Sequence, residues 1–300
     1  MNEATRKIQA AIVAAVGLFL IFINPGLVTA NTNMFLKGMT EGATAPMNPV
    51  VSLRSTVSFG WLGATIFAGI ILLVAVVYGF LKNKTWAFPI ALVSLAVLPI
   101  GSFYVSSFAS YMIRKKVYAP SFTAFIVGLL AFWAIILLEK KGKEMWALFA
   151  PLTFLGMVGV QAFAFSEHGL RGYYQGGKTE AILDPSIGIL RLSQQPIMVM
   201  VLITVFISIY YIAMNSEKGW WSSLLAGAAM AVASYSVHFA RPKASFSLAG
   251  TDVFAPGAAV VGAGIPSIFT SVYFLGGTLG VLLVIILLIP FIKSQFLSEE

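Results

Sequence analysis

Eight stretches of this chain stay apolar for about the thickness of a bilayer: residues 8–30, 56–81, 85–109, 119–138, 145–165, 196–214, 220–239 and 268–291. A hydrocarbon core about 30 Å thick takes about 20 residues of helix. Backbone N–H and C=O groups find no water there, so a crossing segment must pair them internally or within a closed barrel. The runs lack the alternation of barrel strands. The expected fold is therefore all-α and integral to the membrane: a polytopic bundle of about eight transmembrane helices arranged as repeated antiparallel hairpins. Composition agrees, with 59% hydrophobic residues, 10% charged residues and a mean hydropathy of +0.90, whereas soluble domains carry about a quarter charged residues.

The links after the second, fourth and sixth spans are short, and short links join antiparallel neighbours. The chain reads as a single transmembrane domain over 1–300, with long loops 31–54, 166–195 and 241–267 on one face. Residues 31–54 hold Lys37, Gly38, Glu41, Gly42, Pro46 and Pro49, turn formers without apolar periodicity. Asp184-Pro185 predicts a short helix start with Ile187, Ile189 and Leu190 on one side. Val253 to Ile265, apolar but broken by Pro256, Gly257, Gly262 and Gly264, suit a membrane-grazing segment.

The net charge of +8 does not point to nucleic acid, because the cations fall in short clusters at span ends rather than along a continuous face. They suit lipid headgroups and topology rules. The basic residues Arg6, Lys7, Lys82, Lys84, Lys140, Lys141, Lys143, Lys218 and Lys293 crowd the chain ends and short turns. Short basic loops favour the inside, so the expectation is a multi-pass protein of the cell's inner (plasma) membrane with both termini cytoplasmic. The first span also supports a second reading. Arg6-Lys7, an apolar run to Ile23, Pro25-Gly26 and the small residues before Asn31 resemble a secretory signal cleaved after Ala30.

Three spans end in a ring residue, two spacers and an arginine: Tyr111 to Arg114, His168 to Arg171, and His238 to Arg241. Each begins with a tight charged turn followed by tryptophan, at Lys82-Lys84-Trp86, Glu139-Glu144-Trp146 and Glu217-Lys218-Trp220-Trp221. A spacing of three puts ring and guanidinium on one helix face. One reading is an interfacial anchor, since such side chains favour headgroup depth. The other is a polar ring, built from His168, Arg171, His238 and Arg241 with Tyr111 and Arg114 as the copy lacking imidazole. That ring suits a quinone head, a phosphate or a carboxylate, because imidazole carries a proton near neutral pH and arginine donates in a rigid fork.

Haem is disfavoured: the two histidines fall at one surface and at helix ends. Metal binding by His168 and Glu167 lacks a third ligand at suggestive spacing. Cysteine is absent, which removes thiolate ligands and disulfides. No Asp, Glu, Lys or Arg falls mid-span, disfavouring a proton-coupled carrier. Gln161 is the main buried polar candidate within a span, and Asn24 before Pro25 suits a helix end or kink. Gly60 with Gly63, Gly156 with Gly159, and Gly276, Gly277 and Gly280 suit close helix packing. No catalytic constellation is legible, so catalysis by the chain alone is not expected.

The stretch His238-Phe239-Ala240-Arg241-Pro242-Lys243 resembles the His-Leu-Gly-x-Pro-x-Arg stretch of the membrane anchor subunits of dimethyl-sulfoxide and polysulfide reductases. His238 and Pro242 match; Phe239, Ala240 and Ala244 depart. The resemblance covers one loop. It implies a haem-free subunit that meets a quinol near one membrane surface and passes electrons to a partner iron-sulfur protein. The leading expectation is thus a membrane-embedded subunit of a larger complex, with the lipid bilayer and other subunits as partners, no covalently bound cofactor, and quinone as ligand. Alternatives are a carrier or lipid-handling protein that binds an anionic headgroup, and a purely structural subunit.

Overall fold

The computed structural model describes residues 3–42, 48–109, 118–174, 188–240 and 272–297, and the side chains of 3–38, 51–109, 118–167, 193–239 and 272–297. It is an all-α polytopic membrane bundle. The helices are α1 (Glu3–Leu18), α2 (Asn24–Gly42), α3 (Asn48–Val74), α4 (Ala87–Ser107), α5 (Ser121–Glu139), α6 (Gly142–Tyr174), α7 (Gly188–Ala213), α8 (Glu217–Ala240), α9 (Val272–Leu288) and α10 (Pro290–Phe296). Among the described residues seven helices are long and apolar enough to cross a membrane, and the bent pair α9 and α10 makes an eighth candidate.

Helix α1 passes into α2 through one π turn, Phe19–Ile23, in which the Asn24 amide reaches back to the Phe19 carbonyl. Pro25 supplies no amide and its ring crowds the carbonyl four residues earlier. A wider turn relieves that crowding without ending the helix. Asn24 consequently lies inside a continuous helix rather than at its end, and its Nδ2 donates to Thr65 Oγ1 of α3 at 2.9 Å.

The loop expected over 31–54 is helical where described, with α2 running to Gly42 and α3 starting at Asn48. Val28 and Phe35, two turns apart on α2, are buried against the bundle, and Asn31 Nδ2 donates to the Val105 carbonyl at 2.9 Å. Tertiary packing thus extends helices beyond the apolar runs that announced them. Likewise α6 continues through 166–174, and α7 begins at Gly188. Asp184-Pro185, Ile187 and the stretch 241–267 lie outside the described residues.

The three short turns share one device. Asn83, Gly142 and Asn215 each hold a positive φ, of 52°, 59° and 51°. A left-handed residue after a helix lets the chain reverse at once, and Asn and Gly tolerate it best. Below, this is called the turn end of the bundle, and the opposite end, where the longer connections join, the loop end.

The hairpins are not equally closed. Helix α5 packs chiefly on α4 and α1, and α6 on α7, so α5 and α6 diverge after their turn. Trp133 Nε1 donates to Thr153 Oγ1 at 3.1 Å across the gap. The gap is an apolar cleft of about 220 Å³ against Pro99 and Ile100. By contrast α8 and α9 touch backbone to backbone: a methyl group on Gly280 would lie 2.5 Å from the Gly227 carbonyl oxygen and 2.8 Å from the Ala231 nitrogen. Gly276 and Gly277 face Phe165 and Tyr235 in the same way, whereas Gly60, Gly63 and Gly156 have open space beside them. The expected small-residue faces therefore hold for the last span and not for those.

Pro290 turns the chain by 75° into α10. Near that break the Leu287 carbonyl accepts from Trp220 Nε1 at 2.9 Å. Trp220 is accordingly buried while its neighbour Trp221 is exposed. The tryptophans of the repeat thus do different work, Trp220 closing a helix end and Trp146 and Trp221 facing outward.

Gly280→Ala should destabilise the bundle by about 1–3 kcal/mol, as overpacking does in well-filled cores, whereas Gly60→Ala should not. Unfolding of both variants in mixed detergent micelles checks this; equal stability of the two would refute the close α8–α9 contact.

Candidate functional site

Burying a polar group among membrane helices is costly unless a neighbour satisfies it, because hydrocarbon offers no alternative partner. Among the described residues every buried ionisable side chain lies at the loop end: Arg54, Tyr104, Glu167, His238 and Tyr273. Arg54 falls near the start of its span, Tyr104, Glu167 and His238 near the ends of theirs, and Tyr273 near the start of α9.

Spacing of four residues builds the core of this layer. On α2 it pairs Asn31 with Phe35, on α4 Tyr104 with Phe108, and on α6 Phe163 with Glu167, so each helix shows one polar and one aromatic residue on the same face. Arg54 of α3 enters between them. Its Nε lies 3.8 Å from Glu167 Oε1, with side-chain exposures of 10% and 2%. Its guanidinium sits over the rings of Phe35 and Phe108, at 5.6 and 5.1 Å from their centroids. Tyr104 donates its hydroxyl to Glu167 Oε2. The Tyr104 ring meets Phe108 and Phe163 edge-on, and Trp61 packs on Phe163 with centroids 4.3 Å apart. Gly101 leaves the space that the Trp61 indole fills.

Magnitudes indicate what this pair does. Opposite charges 3.8 Å apart attract by about 4 kcal/mol at an effective dielectric of about 20. Withdrawing each ion from water costs several kcal/mol, so the pair adds little net stability. Losing one partner, however, strands the other. The pair therefore fixes how α3, α4 and α6 meet at the loop end more than it strengthens the fold.

His238 is fully buried on the last turn of α8, with its ring 4.9 Å from that of Phe239 and 5.4 Å from that of Phe274 on α9. One turn earlier, the Tyr235 hydroxyl meets Thr278 Oγ1 at 3.0 Å, closing the same α8–α9 seam. His168 and Arg171 fall on the final turns of α6, and their side chains lie outside the described residues, as do Tyr111, Arg114 and Arg241 altogether. The six-residue ring is therefore represented here by His238.

Sequence reasoning weighs Glu167 only as a metal ligand beside His168 and passes over Arg54, because both stand just beyond the apolar runs 56–81 and 145–165. Neither residue is mid-span, so the expectation of no mid-span charge stands among the described residues, and the two charges are buried at span ends. A usable signal was present: polar and aromatic residues four apart at span ends. Gln161 is buried as expected, and its Oε1 has no hydrogen-bond partner. Among the described residues no group of three or more His, Cys, Asp or Glu could hold a metal ion.

Arg54→Met and Glu167→Gln should each destabilise the protein by about 3–5 kcal/mol, and the double variant by less than their sum. A double-mutant cycle on unfolding in micelles checks the coupling; strictly additive losses would show that the pair does not interact. Comparison with protein-family models, with curated proteins and with solved structures finds no match to this chain.

Proposed function

We propose that this chain is a membrane-embedded subunit of a larger assembly that holds the head of a quinone-like carbonyl compound at the loop end of its bundle. The observation that carries this is the one-sided placement of Arg54, Tyr104, Glu167 and His238, buried at one end of the spans. Buried ionisable groups in membrane helices are costly and usually mark a ligand or ion path. A lipophilic carbonyl compound arrives from the bilayer and presents acceptor oxygens at this depth. Imidazole and guanidinium donors are the groups that would receive them.

The resemblance of the His238–Lys243 stretch to reductase anchor subunits favours the same class. In that arrangement the redox centres belong to partners, and the subunit supplies position and a proton-carrying side chain. His168 and Arg171 fall on the last turns of α6, and Arg241 follows α8 by one position in the sequence.

Isolation from native membranes in mild detergent tests the proposal. Partner proteins should copurify, and a short-chain quinone analogue should raise the thermal midpoint of wild-type protein but not of His238→Leu. A monodisperse chain without partners and indifferent to the analogue would overturn it. Lipid scrambling by the chain alone in liposomes would favour the lipid-handling alternative instead.

A further inference from the structure

The described helices fall into two sets of four spans. In the first, α1, α3, α4 and α5 each pack on the next and α5 returns to α1, with α2 prolonging α1. In the second, α6, α7, α8 and α9 close in the same way, α9 returning to α6. Each set is an up-and-down four-helix bundle. Both start at the turn end, at Glu3 and Gly142, so they repeat in the same orientation. Corresponding positions agree. The turn after the second span of each set carries a left-handed asparagine, Asn83 or Asn215. In the third spans the same 18 positions separate Trp86 from Tyr104 (104 − 86) and Trp220 from His238 (238 − 220), and Tyr104 and His238 are both fully buried.

The seam between the sets is graded from one end to the other. At the turn end the chain crosses from α5 to α6 through Lys140, Lys141 and the left-handed Gly142, which has open space beside it. Small residues at such a junction absorb backbone rotation readily. At mid-depth α4 lies on α6 and α7. There Ile100 seats against Gly159, where a methyl group would lie 2.8 Å from Ile100 Cδ1 and 3.2 Å from Val205 Cγ1. On its outer side the seam is the α5–α6 cleft of about 220 Å³, bridged by Trp133 and Thr153. At the loop end Trp61 and Tyr104 of the first set meet Phe163 of the second, and Arg54 and Tyr104 meet Glu167. Glu167 stands 25 positions past Gly142 (167 − 142), about 37 Å along α6 at 1.5 Å per residue. The charged contact is thus at the far end of the lever from the covalent joint. A buried pair of this kind adds little net stability, so the closed arrangement is held in place without being locked.

We propose that the two four-span sets are rigid units hinged at the Gly142 turn, and that Arg54 and Tyr104 of the first latch them shut by holding Glu167 of the second. Release of the latch swings the loop ends apart and uncovers Tyr104 and Glu167, so the same contact that closes the seam controls access to the polar layer. Neither a ligand nor a partner subunit enters this argument, and it stands apart from the quinone reading.

The test uses full-length protein in lipid nanodiscs. The chain has no cysteine, so spin labels go in pairs, one on each unit: Phe59→Cys with Leu275→Cys near the loop end, and Lys84→Cys with Met214→Cys at the turn end, all at exposed positions. Distances are read by pulsed electron paramagnetic resonance. Glu167→Gln should lengthen and broaden the loop-end distance by several ångström and leave the turn-end distance unchanged. Tyr104→Phe, which keeps both charges in place, should do the same to a smaller extent and guards against a failure of Glu167→Gln to fold. Asn24→Leu, which breaks a hydrogen bond inside the first unit, should move neither distance. An unchanged loop-end distance in whichever latch variants fold would overturn the proposal. Equal broadening at both ends would do so too, since it marks general loosening rather than a hinge. So would a loop-end shift in Asn24→Leu as large as that in Glu167→Gln.

Discussion

An unpaired backbone amide or carbonyl cannot be left in hydrocarbon, and the rest of this structure follows from how the chain meets that demand. Regular helix meets it nearly everywhere. At two of the prolines a local repair appears. At Pro25 the helix widens into a π turn and continues. At Pro290 the chain bends, and Trp220 donates across to the Leu287 carbonyl near the break. At the three tight turns a left-handed Asn or Gly lets the chain reverse beside the bilayer.

The same cost governs the side chains. Gln9 is buried near the turn end because the Ile135 carbonyl and the Glu139 carboxylate accept its amide hydrogens. Asn24 and Asn31 tie α2 to α3 and α4 by single bonds. Among the described residues the buried ionisable groups gather at the loop end, where Arg54 and Glu167 meet under a shell of Phe35, Phe108, Tyr104 and Phe163. Such a pair specifies a geometry more than it adds stability. It makes the loop end the differentiated end of an otherwise apolar bundle.

Much of this was legible in the chain. Helical class and the positions of the spans follow from run length alone, and the tight turns carry the residues that left-handed backbone prefers. The site is less legible. His238 stands out in the sequence and is buried, but Arg54 and Glu167 fall within apparent connections because hydropathy drops at both positions. Hydropathy scores a residue's own cost of entering lipid. It has no means of crediting a partner supplied by another helix, and here Glu167 stands 113 positions from Arg54 (167 − 54).

The sequence by itself determined that this protein is a helical membrane bundle, where its reversals fall, and that its polar residues gather at span ends. These are local properties, set by the transfer cost of about 20 consecutive residues and by the backbone preferences of single ones. Only the tertiary structure decided which polar residues go inside, that α5 and α6 diverge while α8 and α9 touch, and that Gln161 and Gln194 are buried with one amide atom each left without a partner. Those outcomes depend on what each side chain meets across a helix interface, and no local window of sequence contains both partners.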